Sequence, residues 1–151
     1  METFYNASEI VVLIVDDDKI ASLVHKKVLK EFQPKIQPSF FGNGKDALEF
    51  IQSYRGEASF LVLLDLEMPI MNGWEFLEKC TGLENSSKIF FLMITASPHI
   101  DDLYRTLSYK NVLGFSRKPF TGDSMKSLLD FPEIQNLFLQ MEYEALENDT
   151  W

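Results

Sequence analysis

Asp16, Asp17, Asp65, Thr95 and Lys118 bring three carboxylates, a hydroxyl and an amine, the side-chain chemistry that handles a phosphoryl group. Each follows an apolar run of strand length: Asp16-Asp17 after Ile10-Val15, Asp65 after Phe60-Leu64, Thr95 after Ile89-Ile94, and Lys118 after Val112-Ser116. In an open parallel sheet, side chains at the carboxyl ends of strands converge on one crevice, so residues far apart in sequence share a site. Adjacent carboxylates repel one another and are comfortable only when solvated, capping a helix or bound to a cation. Asp17 or Asp18 is placed to cap a helix that starts near Lys19. A third carboxylate, Asp65, at the same crevice favours a hard divalent cation. Mg²⁺ fits because it takes few protein carboxylates and keeps waters and phosphate oxygens as its other ligands. An ionised aspartate can itself be the nucleophile, forming an acyl phosphate. Lys118 supplies a point charge for a phosphoryl oxygen and Thr95 a hydroxyl for another.

The elements that must position these groups are legible in the hydrophobic pattern. Ile10-Val15, Phe60-Leu64 and Ile89-Ile94 lack polar alternation and are rich in β-branched and aromatic residues, as expected of central parallel strands covered on both faces. Ile36-Phe41 and Val112-Ser116 are more polar or shorter and read as strands nearer an edge, a place that Pro38 also favours. Between the runs lie segments with helical spacing: Ile20, Leu23, Val24 and Val28; Ala47, Leu48 and Ile51; Trp74, Leu77 and Cys80; Ile100, Leu103, Tyr104 and Leu107. Strand and helix therefore alternate, which calls for an α/β fold with a doubly wound five-stranded parallel sheet and helices on both faces. Gly42-Asn43-Gly44 and Asn72-Gly73 mark turns at helix starts, where tolerance of positive φ is useful. The chain has neither a GxxxxGK[ST] loop nor a GxGxxG after the first strand, so it lacks the glycines of the common nucleotide-binding routes.

Composition bounds the function further. The chain has 151 residues, 46% of them hydrophobic and 13 of them phenylalanine, which suits one packed domain and argues against disorder. Its net charge is −9, and no run of Lys and Arg forms the basic stripe that a phosphate backbone requires, so direct nucleic-acid binding is not expected. The single cysteine, Cys80, excludes an internal disulfide and reads as a small buried hydrophobe. His25 and His99 show no metal-ligand spacing and read as surface or packing residues. No apolar run approaches the roughly 20 residues of a membrane span, so a soluble cytoplasmic protein is expected. Phe131-Pro132-Glu133 reads as the start of a C-terminal helix. In that helix Ile134, Leu137, Phe138, Met141 and Ala145 form one apolar face, and Leu139, Tyr143 and Leu146 a second. Such a helix either docks on its own domain or offers a surface for a homodimer or partner.

Val15-Asp16-Asp17, Leu64-Asp65-Leu66-Glu67-Met68-Pro69 through Asn72-Gly73, Thr95-Ala96 and Lys118-Pro119-Phe120 together resemble the receiver domain of two-component response regulators. The resemblance covers roughly residues 9 to 130, leaving a lead of residues 1–8 and a helical extension over 131–151. It implies the flavodoxin-like receiver fold with strand order 2-1-3-4-5. It also implies that Asp65 is the phosphoacceptor, charged by a sensor histidine kinase or histidine phosphotransfer protein. Asp16 and Asp17 resemble the acidic pair that holds Mg²⁺, completed by Asp65 and the main-chain carbonyl of Glu67. Lys118 resembles the lysine that contacts the phosphoryl group, Thr95 the hydroxyl that moves toward it, and Phe115 the aromatic switch residue. A cis peptide before Pro119 is implied as well.

The face carrying Ile100-Tyr109, Val112-Ser116 and the helix after Phe120 would be read by a downstream target protein. A stand-alone, chemotaxis-regulator-like receiver is expected, since the residues beyond 130 are fewer than the roughly 50 of an independently folded output domain. Two alternatives stand beside this reading. One is a Mg²⁺-dependent phosphohydrolase of haloacid-dehalogenase-like type, which calls for an aspartate where this chain has Glu67. The other is an interaction module that keeps the fold without using phosphorylation.

Overall fold

Residues 9–96, 98–132, 134–136, 138 and 139 are described by a computed structural model. The chain runs β1 (Glu9–Val15), α1 (Lys19–Phe32), β2 (Ser39–Phe41), α2 (Gly44–Ser53), β3 (Ala58–Leu64), α3 (Gly73–Thr81), a 3₁₀ turn (Ser86–Lys88), β4 (Ile89–Thr95), α4 (Ile100–Thr106), β5 (Val112–Arg117) and α5 (Gly122–Leu128). The five strands form one parallel sheet in the order β2-β1-β3-β4-β5, as the resemblance implies.

Strands β1, β3 and β4 are apolar on both faces because both faces are covered. Val12, Ile14, Leu61, Leu63, Leu92 and Ile94 pack against Val28 and Leu29 of α1 and Met125 and Leu128 of α5. Leu13, Val15, Val62, Leu64, Phe91 and Met93 pack against Ala47, Leu48 and Ile51 of α2 and Phe76, Leu77 and Cys80 of α3. Burying one such side chain is worth roughly 1.5–3 kcal/mol, against about 0–1 kcal/mol for an exposed ion pair. The central strands therefore anchor the polar rim at their ends.

The edge strands differ from expectation in length. β2 keeps only Ser39–Phe41, while Ile36 is buried in the core outside the strand, on the far side of Pro38. β5 pairs Phe91 with Val112 but Leu92 with Gly114, so Leu113 is an extra residue in the ladder.

Two helices correct the apolar stripes read from the sequence. In α1 the inward face is Ser22, His25, Val28 and Leu29, whereas Ile20, Leu23 and Val24 are exposed. In α4 only Thr106 is buried, and Ile100, Leu103, Tyr104 and Leu107 all face outward. Periodicity identified both helices, but the apolar stripe of each is not the face that meets the sheet.

The glycine that starts α3 is needed for a different reason from the one expected. Asn43 and Asn72 are N-caps whose side chains accept from Asp46 N–H and Glu75 N–H, each at 2.9 Å. Gly73 is not at positive φ; a Cβ there would lie 2.3 Å from the Asp65 carbonyl oxygen, and its N–H donates to Leu66 O at 3.0 Å. Positive φ falls instead on Gly56 and on Ile70, an exposed β-branched residue at φ 68° in the loop between β3 and α3.

Past α5, residues 132, 134–136, 138 and 139 are helical, and Ile134 and Phe138 are buried in the α1–α5 side of the core. Leu139 of the second apolar face is exposed. The readings for Leu137, Met141, Tyr143, Ala145 and Leu146 lie outside the described residues.

Gly73→Ala is expected to lower stability by about 1–3 kcal/mol or more, because the methyl group overlaps backbone that cannot swing away. An unchanged urea midpoint would refute the close approach. Ile70→Asn is expected to raise the unfolding free energy by about 1 kcal/mol, and the urea midpoint with it, since asparagine tolerates the left-handed region and the lost side chain buries little. A fall in the midpoint would mean that Ile70 packs more than its exposure indicates.

Candidate functional site

The ends of four strands bring the candidate residues to one edge of the sheet. Asp16 follows β1 and is tied on both sides by backbone rungs: its N–H donates to Phe41 O at 2.9 Å, and Asp65 N–H donates to Val15 O at 2.9 Å. Lys118 follows β5, and its N–H donates to Thr95 O at 2.8 Å. The peptide between Lys118 and Pro119 is cis, as the resemblance implies.

Asp16, Asp17 and Asp65 each place a carboxylate oxygen within 4.8 Å of the others; Asp16 and Asp65 are buried and Asp17 is exposed. Of Asp17 and Asp18, Asp18 is the helix cap. Its Oδ1 accepts from Ile20 N–H at 3.0 Å and Ala21 N–H at 3.1 Å, and the Ala21 bond is the main cause of its lowered pKa. That leaves Asp17 uncommitted at the mouth of the cluster. Lys118 Nζ lies 2.8 Å from Asp16 Oδ2 and 3.2 Å from Asp65 Oδ2. The contact to Asp65 is a hydrogen bond, whereas the shorter one to Asp16 is an ion pair outside good hydrogen-bonding geometry.

The charges do not balance within this group. Burial pushes the Asp65 carboxyl up to about 6, with the neighbouring Asp16 carboxylate adding to the effect and Lys118 opposing it. Burial likewise opposes the charge on Lys118, but Asp16 and Asp65 more than offset it and hold the amine above its ordinary value. One ammonium thus bridges two of the three carboxylates, and Asp16 Oδ2 remains buried without an aligned donor. A donor set of three carboxylates with unmet negative charge fits a hard divalent cation.

Thr95, at the end of β4, is buried and lines a cleft of about 440 Å³ together with Leu66, Glu67, Met68, Trp74, His99 and Asp102. Its hydroxyl makes no hydrogen bond to Asp65 or Lys118 in this arrangement, although its carbonyl accepts from Lys118 N–H. The N–H of Glu67 points to Asp65 Oδ1 at 3.4 Å. Phe115 is half-buried, pairs with Met93 and packs on the α2–α3 side of the sheet, the face that Thr95 shares. His25 is a packing residue on α1, its ring edge-on to Phe120 at 5.8 Å and its pKa lowered chiefly by burial. The thiol of Cys80 is buried and pushed up to about 12, so it is an inert core group.

The response regulator receiver domain model matches residues 12–130. The chain belongs to the response regulator receiver family. Receivers of this family are signalling proteins. This receiver is 31% identical over 126 residues to the probable chemotaxis protein CheY of Rhizobium etli, covering 82% of this chain and 92% of that protein. It is 28% identical over 122 residues to two-component response regulator 24 of Arabidopsis thaliana, covering 81% and 83% respectively. Among solved structures, a two-component response regulator from Cytophaga hutchinsonii superposes with a TM-score of 0.68 over 82% of this receiver and 96% of that chain, at 19% identity. The Mn²⁺-bound form of response regulator Rcp1 gives 0.63 over 78% and 88%, at 26% identity.

The raised Asp65 pKa carries a stability consequence. The folded receiver holds the Asp65 proton more tightly than the unfolded chain between about pH 4 and 6. Ionised Asp65 therefore destabilises the metal-free fold above about pH 6, and the cost disappears as pH falls toward 4. Asp65→Asn in EDTA is expected to raise Tm at pH 7, with a gain that shrinks as the pH drops through 6. A gain of equal size at pH 4.5 and pH 7.5, or none at either, would contradict this assignment.

Proposed function

We propose that this receiver accepts a phosphoryl group from a phosphohistidine donor onto Asp65 and signals through a change in shape read by a target protein. The observation that carries the reading is the shared ammonium: Lys118 bridges Asp16 and Asp65 inside a cluster of three carboxylates too negative to be satisfied by the protein alone. Asp16, Asp17 and Asp65, with the main-chain carbonyl of Glu67, would hold Mg²⁺. When bound, the ion neutralises carboxylate charge and lets an anionic phosphoryl group approach. The Mn²⁺-bound state of the related Rcp1 supports a divalent cation.

An oxygen of ionised Asp65 attacks phosphorus, the P–N bond to the donor histidine breaks, and the imidazole leaves with the electron pair and takes up a proton. Lys118 already spans the carboxylates, so a small rotation of its flexible stem brings Nζ to a phosphoryl oxygen. The Thr95 hydroxyl, free of Asp65 and Lys118, is available for another oxygen. Drawing it inward would vacate space on the face it shares with Phe115, whose ring would follow.

Docking of a protein donor is supported by the apolar groups beside the acids. Leu23, Phe40 and Phe41 line a cleft of about 430 Å³ with Asp16 and Asp17, and Ile20 and Ile70 stand exposed at the same edge of the sheet. The outward apolar stripe of α4 suits a downstream target. We read residues 9–130 as the receiver and 131–151 as an extension that offers a dimer surface. The setting is cytoplasmic in this reading; among the described residues no helix is long and apolar enough to cross a membrane.

Incubation with Mg²⁺ and acetyl phosphate, followed by intact-mass measurement, tests the proposal. Wild type is expected to gain one phosphoryl group and Asp65→Asn none. Equal labelling of both proteins would move the acceptor elsewhere, and labelling of neither would reject phosphoryl acceptance.

A further inference from the structure

Helix α4 is thinly attached to the body of the receiver. Of its seven residues only Thr106 is buried, and the Thr106 hydroxyl is spent within the helix on Leu103 O at 2.6 Å. Besides its contact with β5, a set of side chains reaches from it to α3. The Arg105 guanidinium lies 4.2 Å above the ring of Trp74 in the first turn of α3. Tyr109, in the turn after α4, packs beside the same indole with ring centroids 6.4 Å apart and an interplanar angle of 33°. Its hydroxyl donates to Glu78 Oε2 at 2.7 Å, one turn further along α3. Tyr109 is held by backbone on both sides, its N–H donating to Thr106 O at 3.0 Å and its carbonyl accepting from Val112 N–H at 3.1 Å.

Both ends of this assembly lead to the site. The start of α3 is pressed against the Asp65 carbonyl at Gly73, which ties the backbone next to Trp74 to the loop that carries Asp65. The start of α4 is joined to Thr95 by residues 96–99, and Asp102 accepts from His99 N–H at 3.3 Å, fixing the end of that connection. A backbone shift of Thr95 toward Asp65 would therefore pull on the first turn of α4.

We propose that Trp74, Glu78, Arg105 and Tyr109 form a latch between α3 and α4 that opposes the inward movement of Thr95 and so slows phosphoryl acceptance. This rests on the reading of Asp65 as the acceptor. If only the arrangement with Thr95 drawn inward makes its contact to the incoming group, the population of that arrangement in the free protein sets the rate. Removing one exposed cation–π contact or one surface hydrogen bond shifts such a population by roughly two- to fivefold. The reciprocal effect holds for a partner: whatever binds α4 in its released position would favour phosphorylation by the same factor by which phosphorylation favours its binding.

Arg105→Gln and Tyr109→Phe in the full chain test the latch with two readouts. Amide hydrogen exchange, without phosphate, is expected to speed up by roughly two- to fivefold in α4 and to stay unchanged in α2. The rate of labelling by acetyl phosphate with Mg²⁺ is expected to rise by a similar factor. Unchanged exchange in α4 in both variants would overturn the latch. Faster exchange with labelling unchanged or slower would overturn its control of acceptance. If wild type and both variants all fail to label, the acceptor reading fails and its regulation with it, while exchange still decides whether the four side chains hold α4.

Discussion

Asp16, Asp17 and Asp65 are crowded against one another at the end of a sheet packed on both faces by apolar layers, and a single ammonium spans the two buried ones. Such crowding is stable only if the backbone leaves the carboxylates no room to part. Parallel rungs on both sides of Asp16 supply that restraint, and they in turn depend on central strands that are predominantly apolar on both faces. The hydrophobic layers and the polar rim are therefore one construction: the layers hold the charges together, and the unmet negative charge is what a divalent cation would answer. The same economy explains the glycine that starts α3, where even a methyl group would intrude on the Asp65 backbone.

The site was legible in the sequence because its residues stand at the ends of runs that could only be buried strands. The two-sided apolar pattern of Ile10-Val15, Phe60-Leu64 and Ile89-Ile94 located the rim before any coordinate did. Hydrophobic spacing served less well for the helices. Ile20, Leu23 and Val24, and the whole stripe from Ile100 to Leu107, repeat at helical intervals but face outward, while α1 turns Ser22 and His25 inward. Periodicity reports that a helix has an apolar face and not what that face touches. Where a surface is built to meet a partner, the stripe for the partner and the stripe for the core read alike.

Other features were invisible for a different reason. Sequence could not choose between Asp17 and Asp18 as the helix cap, because the choice depends on the direction the chain takes after β1, and only the coordinates give that. The contacts of Trp74 with Arg105 and Tyr109 join residues some 30 positions apart, with no motif to mark them. Their chemistry is ordinary surface chemistry, and their importance comes from how little else attaches α4.

The extra residue at Leu113 decides which side of the sheet holds the aromatic ring. Alternation counted from Val112 would send Phe115 toward α5, whereas the bulge places Leu113 and Gly114 toward one layer and returns Phe115 to the layer of Met93 and Thr95. Gly114 fits there with a prospective Cβ only 3.2 Å from Leu92 and Leu128. That the ring lies on the same face as the Thr95 hydroxyl is thus a matter of parity. A chain shortened by one residue at this point would keep every recognisable motif and yet carry its aromatic on the wrong side of the wall.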